Sequence, residues 1–189
     1  MSDPESNSRI ALICHPDTPA RAVRSIAVEI GLSFDDGFAL NFVVEGTIGA
    51  VVLPQGEGEL VIADGGTDGL WQSTCFEAFL TEEGQPDYTE FNYAPDGRWA
   101  CYQFDDYRSL LRADQLAPWR MKAERSDDGY ALRIEPGIFP DKGSKLALSA
   151  VIEEIDGTKS YWALCHPPGK PDFHHPDCFR VTLGAPDAA

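Results

Sequence analysis

Positive charge is scarce in this chain. Its 15 Lys and Arg stand against 31 Asp and Glu, for a formal charge of -16 and a pI near 4.4. So acidic a surface repels phosphate backbones and anionic headgroups, and no local basic patch offsets it. Binding to nucleic acid or to a membrane surface is therefore not expected. Long apolar runs are also missing, and none nears the roughly 20 residues of a membrane span. The first nine residues, MSDPESNSR, lack the basic-then-apolar order of a signal peptide, so a cytoplasmic location is expected. Cysteine is sparse and odd in number: Cys14, Cys75, Cys101, Cys165 and Cys178, with no CxxC. That composition predicts reduced, mostly buried thiols rather than a disulfide framework. The chain also has no GxSxG elbow, no P-loop and no dinucleotide fingerprint.

What the chain does have is turns and short alternating strands. Its 17 Gly and 14 Pro interrupt apolar segments throughout. Ile26, Val28, Ile30 and Leu32 fall on one face of a strand, and Phe38, Leu40, Phe42 and Val44 on one face of the next. Asp35-Asp36-Gly37 turns between them. Residues 47–53 form a further apolar run, and residues 60–63 a short strand. Residues 121–125 and 130–135 make another hairpin around Asp127-Asp128-Gly129. Residues 145–155, 161–164 and 179–183 complete the set, and residues 105–118 suit at most one helical turn carrying Leu110, Leu111 and Leu116. The whole predicts an all-β fold, an antiparallel β-sandwich of roughly ten to twelve strands. Residues 9–184 form its single domain, with a disordered start at 1–8 and a tail at 185–189.

The segment 68–107 concentrates aromatic and hydrogen-bonding groups in a three-strand meander. Period-two alternation puts Cys75, Glu77 and Phe79 on one face and Phe76, Ala78 and Leu80 on the other. If the apolar faces pack inward, Glu77, Glu90 and Asn92 share the opposite face. A buried carboxylate needs a partner, and Arg98 is the nearest cation by sequence. Trp71 follows the loop Asp64–Gly69 at the mouth of a strand, where an exposed ring can stack on a ligand. The loop itself lacks EF-hand spacing and reads as a plain turn.

A second group of polar residues sits near the C-terminus. His166, His174, His175 and Cys178 contain zinc-ligand types. However, His174 and His175 are adjacent and point apart in an extended chain, and Pro167, Pro168, Pro171 and Pro176 stiffen the loop. No metal and no cofactor is expected. Cys165 beside His166 is disfavoured as a thiol dyad for the same directional reason. Glu77 and Glu90 could suit glycoside hydrolysis at the right separation.

Three stretches resemble bacterial DOMON-like domains, related to family 9 carbohydrate-binding modules: LWQSTCFEAFL, YTEFNYAPDGRWACYQFDDYR and SYWALCHPPGKPDFHHPDCF. The resemblance spans residues 11–183. It implies an antiparallel β-sandwich that binds a sugar or, in some relatives, haem. It aligns Trp71 with the first stacking aromatic and Glu77 with the strand Glu. Arg98 falls after the turn made by Asn92, Pro95 and Gly97. Phe173, with His174 and His175, occupies the loop that would supply a second aromatic, and Ser73-Thr74 replaces an acidic pair. The expectation is therefore a non-catalytic module for a carbohydrate or sugar-like metabolite. Its site would be Trp71, Glu77, Glu90, Asn92, Arg98, Phe173, His174 and His175. The alternatives are a haem-binding domain using a His or Met121, a metal-dependent hydrolase centred on His166, His174 and His175, and a protein-interaction module docking through an edge strand.

Overall fold

The computed structural model describes residues 8–33 and 37–184, which contain thirteen antiparallel strands and three short 3-10 turns. In chain order the strands are β1 (Ser8–Cys14), β2 (Val23–Ser33), β3 (Gly37–Gly46), β4 (Gly58–Glu59), β5 (Cys75–Thr81), β6 (Tyr88–Tyr93) and β7 (Trp99–Asp106). They continue as β8 (Ser109–Asp114), β9 (Arg120–Arg125), β10 (Gly129–Glu135), β11 (Lys145–Glu153), β12 (Lys159–Ala163) and β13 (Val181–Thr182). Pairing runs β4-β9-β10-β3-β2-β1-β12-β11-β5-β6-β7-β8, with β13 added to β11. The ends of this ribbon, β4 and β8, do not pair with each other, so no barrel closes. No helix among the described residues is long and apolar enough to cross a membrane.

β1 joins the two halves of the ribbon. Its Ser8–Leu12 portion pairs with β2, and Ile13 and Cys14 pair with β12. A strand that changes partners along its length turns a corner, which lets one half fold over the other. The contacts between halves are aromatic: the rings of Phe42 on β3 and Phe76 on β5 lie 5.1 Å apart, and Phe76 stacks on Tyr130 of β10 at 6.2 Å. Ile26, Val28, Leu40 and Leu132 enter this core from one side, and Phe91, Trp99, Leu148 and Ile152 from the other. Truncating a ring here to Ala would cost about 3–5 kcal/mol. Trp99 keeps its indole N–H satisfied on the Ala63 carbonyl at 2.9 Å.

The second half of the ribbon is covered on both faces. Phe76, Ala78, Phe91, Tyr93, Trp99 and Cys101 face the shared core. Cys75, Phe79, Tyr88, Ala100, Tyr102 and Phe104 face outward into a smaller cluster that also takes in Leu70 and Cys178. This outer layer contains the site. All five thiols are free, and three of them, Cys75, Cys101 and Cys178, are buried.

Local patterning misplaced some segments. Residues 109–114 form a strand, not a helical turn: β8 pairs with β7 through two register shifts, and its Leu110 and Leu111 remain exposed. An edge strand open to water carries no helical or amphipathic signature. Residues 60–63 lie beyond the short β4, which is Gly58–Glu59. The apolar run at 47–53 holds a 3-10 turn, Ile48–Ala50, and a single bridge from Val51 to Glu154. Ser8 already belongs to β1. The Asp35-Asp36 turn and the side chain of Leu32 lie outside the described residues.

Candidate functional site

A hollow of about 380 Å³ opens on the outer face of the second half-sheet, at the small end of the size range of small-molecule sites. Register builds its floor. Glu77 lies opposite Ser149 on β11 and Asn92 on β6, while Glu90 lies opposite Phe79 on β5 and Tyr102 on β7. Glu77 and Glu90 are therefore diagonal neighbours on one face, close enough for their charges to interact. The Ser149 hydroxyl donates to Glu77 Oε2 at 2.8 Å, and the Asn92 amide donates to Glu90 Oε1 at 2.7 Å. Glu77 is 2% exposed and Glu90 6%, yet both reach the hollow.

Aromatic rings form the walls. The loop after β4 ends in the 3-10 turn Leu70–Gln72, which holds Trp71 at 45% exposure with its ring edge-on to Tyr102 at 6.3 Å. Two tethers fix this rim: Tyr102 donates to Asp68 at 2.7 Å, and Lys159 donates to the Gln72 carbonyl. Phe173 approaches from the C-terminal loop, 6.1 Å from Tyr161 of β12. Phe104 stacks face to face on Tyr88 at 4.8 Å.

The C-terminal loop delivers His174 to the edge of the floor. Its Nδ1 lies 2.8 Å from the Tyr88 hydroxyl, and its Nε2 lies 3.7 Å from Glu90 Oε2. The Arg108 backbone N–H donates to that same hydroxyl at 3.1 Å. The network is satisfied when Tyr88 donates to Nδ1 and Nε2 carries the ring proton toward Glu90. Arg108 has a positive φ of 53°, uncommon for a residue with a side chain, in the tight reversal between β7 and β8. Its guanidinium pairs with Asp172 at 2.7 Å, and the Tyr107 hydroxyl donates to the same carboxylate at 2.5 Å.

Burial governs the protonation of these groups. Desolvation, and then the charge of Glu90, push Glu77 up to about 8, against the Ser149 hydrogen bond. Desolvation also raises Glu90, to about 7, against the Asn92 amide and Arg108. The two titrate as a pair that retains a proton near neutral pH. His174 is driven down to about 4 by burial and then by the Arg108 charge, so its ring is neutral at pH 7. The Cys75 thiol beneath the floor is raised by burial and by Glu77, which keeps it protonated.

Of the residues marked in the sequence, Trp71, Glu77, Glu90, Phe173 and His174 line the hollow together. Asn92 is fully buried beneath it and acts through Glu90. Arg98 does not partner the carboxyls, because its guanidinium closes back on Asp96 of its own turn at 2.8 Å. His175 faces away, its Nδ1 accepting from the Asp177 N–H. The three histidines do not converge: His166 contacts the Ile13 carbonyl at 2.8 Å and the His15 ring at 4.8 Å. Met121 is sealed in the core. No cluster of three His, Cys, Asp or Glu able to hold a metal ion occurs among the described residues. Sequence reasoning missed Arg108, Ser149 and Tyr161. Alternation in β11 and β12 marks the last two as facing outward, but not which strand they would stand beside.

No family model and no curated protein matches this sequence. The fold is similar to that of a solved structure, a "putative carbohydrate-binding protein" from Bacteroides uniformis ATCC 8492. The match has a TM-score of 0.59 at 15% identity and covers 92% of this chain and 84% of that one. At that identity the likeness extends to the fold: this chain shares the all-β architecture of the Bacteroides protein over nearly its full length.

Proposed function

We propose that this protein is a non-catalytic β-sandwich module, of DOMON-like type, that binds a sugar-like ligand in the hollow above Glu77 and Glu90. The observation that carries the reading is the pairing of a polar floor with facing aromatic walls. Sugars present apolar C–H faces to rings and hydroxyls to carboxyl, amide and hydroxyl groups, and this hollow offers both. Trp71, half exposed on a tethered turn, is the stacking surface, with Phe173 and Tyr161 on the other side. Glu77 and Glu90 meet the hydroxyls. The fold shared with the Bacteroides protein agrees with this reading.

Calorimetric titration with a panel of mono- and oligosaccharides tests it. At least one sugar is expected to bind, and Trp71→Ala is expected to weaken that sugar by tenfold or more, about 1.4 kcal/mol. Binding of none, or an affinity indifferent to Trp71, would remove the proposal.

A further inference from the structure

We infer that the ligand of this hollow carries a positively charged amine, seated against Glu77 and Glu90 with aromatic rings around it, so that an amino sugar fits where its neutral counterpart does not. The inference rests on reading the hollow as a ligand site. Two carboxyls more than nine-tenths buried line the hollow, and each receives one hydrogen bond from a neutral group. Among the described residues, Glu77 Oε1 accepts no hydrogen bond, Glu90 Oε2 has only the neutral His174 ring near it at 3.7 Å, and no Lys or Arg is ion-paired to either carboxyl. The charged groups nearby, and the titratable groups touching the carboxyls, are already committed. Arg108, whose charge reaches Glu90, is held in an ion pair by Asp172, His174 is uncharged near neutral pH, Tyr88 is bonded to His174, and Asp68 is held by Tyr102.

A buried carboxylate without a counter-charge is unfavourable, so the pair keeps a proton when empty. An ammonium group would supply the missing charge. Two of its three N–H donors would meet Glu77 Oε1 and Glu90 Oε2. Trp71, Tyr102, Phe104, Tyr161 and Phe173 line the same space, and aromatic rings attract cations. The chain's net charge of -16 also raises the local concentration of cations. On binding, the amine ionises the pair, the shared proton leaves to solvent, and an N–H⁺···O⁻ contact replaces the O–H bond.

Calorimetry on the intact protein at neutral pH, with glucosamine, glucose and N-acetylglucosamine, decides the matter. Glucosamine is expected to bind roughly tenfold or more tighter than either neutral sugar. Titrations in buffers of different ionisation heat are expected to show proton release for glucosamine alone. Glu90→Gln, nearly isosteric, is expected to abolish both differences. If that variant fails to fold, the wild-type comparison still decides. Equal affinity for the three sugars would overturn this inference and leave the sugar-binding proposal standing. Binding of none of the three would overturn this inference, and the wider saccharide panel then decides the sugar-binding proposal separately.

Discussion

Glu77 and Glu90 couple the stability of the fold to pH as well as forming the floor of the site. In the unfolded chain each titrates near its ordinary value of 4.5, and in the folded chain each keeps its proton to about 7 or 8. The folded state thus binds more protons across that interval, and its stability falls as pH rises through it. His174 works in the opposite direction, since its folded value of about 4 lies below the ordinary 6.5 and it adds stability as pH rises between them. The interval from pH 6.5 to 8 therefore isolates the carboxyls. Thermal unfolding is expected to lose on the order of 1 kcal/mol per pH unit there. Glu77→Gln should flatten the slope, and an unchanged slope in that variant would refute the assignment. A different buried acid has a purely structural role. Glu154 accepts the backbone N–H groups of Arg21 and Ala22 at 2.8 and 2.9 Å. Glu154→Ala orphans both donors, and urea denaturation should register a loss of roughly 2–4 kcal/mol.

Among the elements, the β6–β7 reversal and the β8 edge behave differently. Gly97 closes the first with φ at +90°, and a Cβ there would stand 2.2 Å from the Val61 carbonyl oxygen. Gly97→Ala must therefore displace the crossing segment, with an expected cost of about 2 kcal/mol or more in chemical denaturation. β8 is tolerant by contrast. Its side chains are largely exposed and its outer edge is unpaired among the described strands. Leu111→Lys is expected to change stability by less than about 0.5 kcal/mol and to lower aggregation on heating, as read by light scattering. The reversal leading into β8 also shows where sequence reading stops. Arg108 gains its place at the site from a left-handed backbone and a bond to Tyr88, twenty residues earlier. Nothing in its local pattern sets it apart from Arg98, which lies in the better-known turn and folds back on Asp96.

At the scale of the whole molecule, β1 stitches the two half-sheets together through a shared core. Neither half keeps its apolar face buried alone, so the described chain should unfold in one transition. Far-UV circular dichroism and tryptophan fluorescence are expected to give coincident urea curves, and separated midpoints would mean that the halves are independent. The outer layer is a further long-range product. The site's floor comes from β5, β6, β7 and β11, its rim from the turn at Trp71, and its far wall from the loop around Phe173. Apart from the consecutive β5, β6 and β7, these segments are brought together by contacts between distant parts of the chain.

The sequence by itself determined the strands and their faces. Side-chain direction alternates with period two, so the apolar pattern of β5, β6 and β7 already put Glu77, Glu90 and Asn92 together, away from Phe76 and Phe91. Only the tertiary structure decided that this opposite face is roofed rather than bathed in solvent. It also decided that Arg108 and Ser149 attend the carboxyls while Arg98 and His175 do not, that Tyr161 lines the hollow beside Phe173, and that His174 parts from His166. The physical reason is that alternation is local to a strand, whereas strand order and the loop that covers a sheet depend on contacts between residues far apart in the chain, for which no local pattern carries a signal.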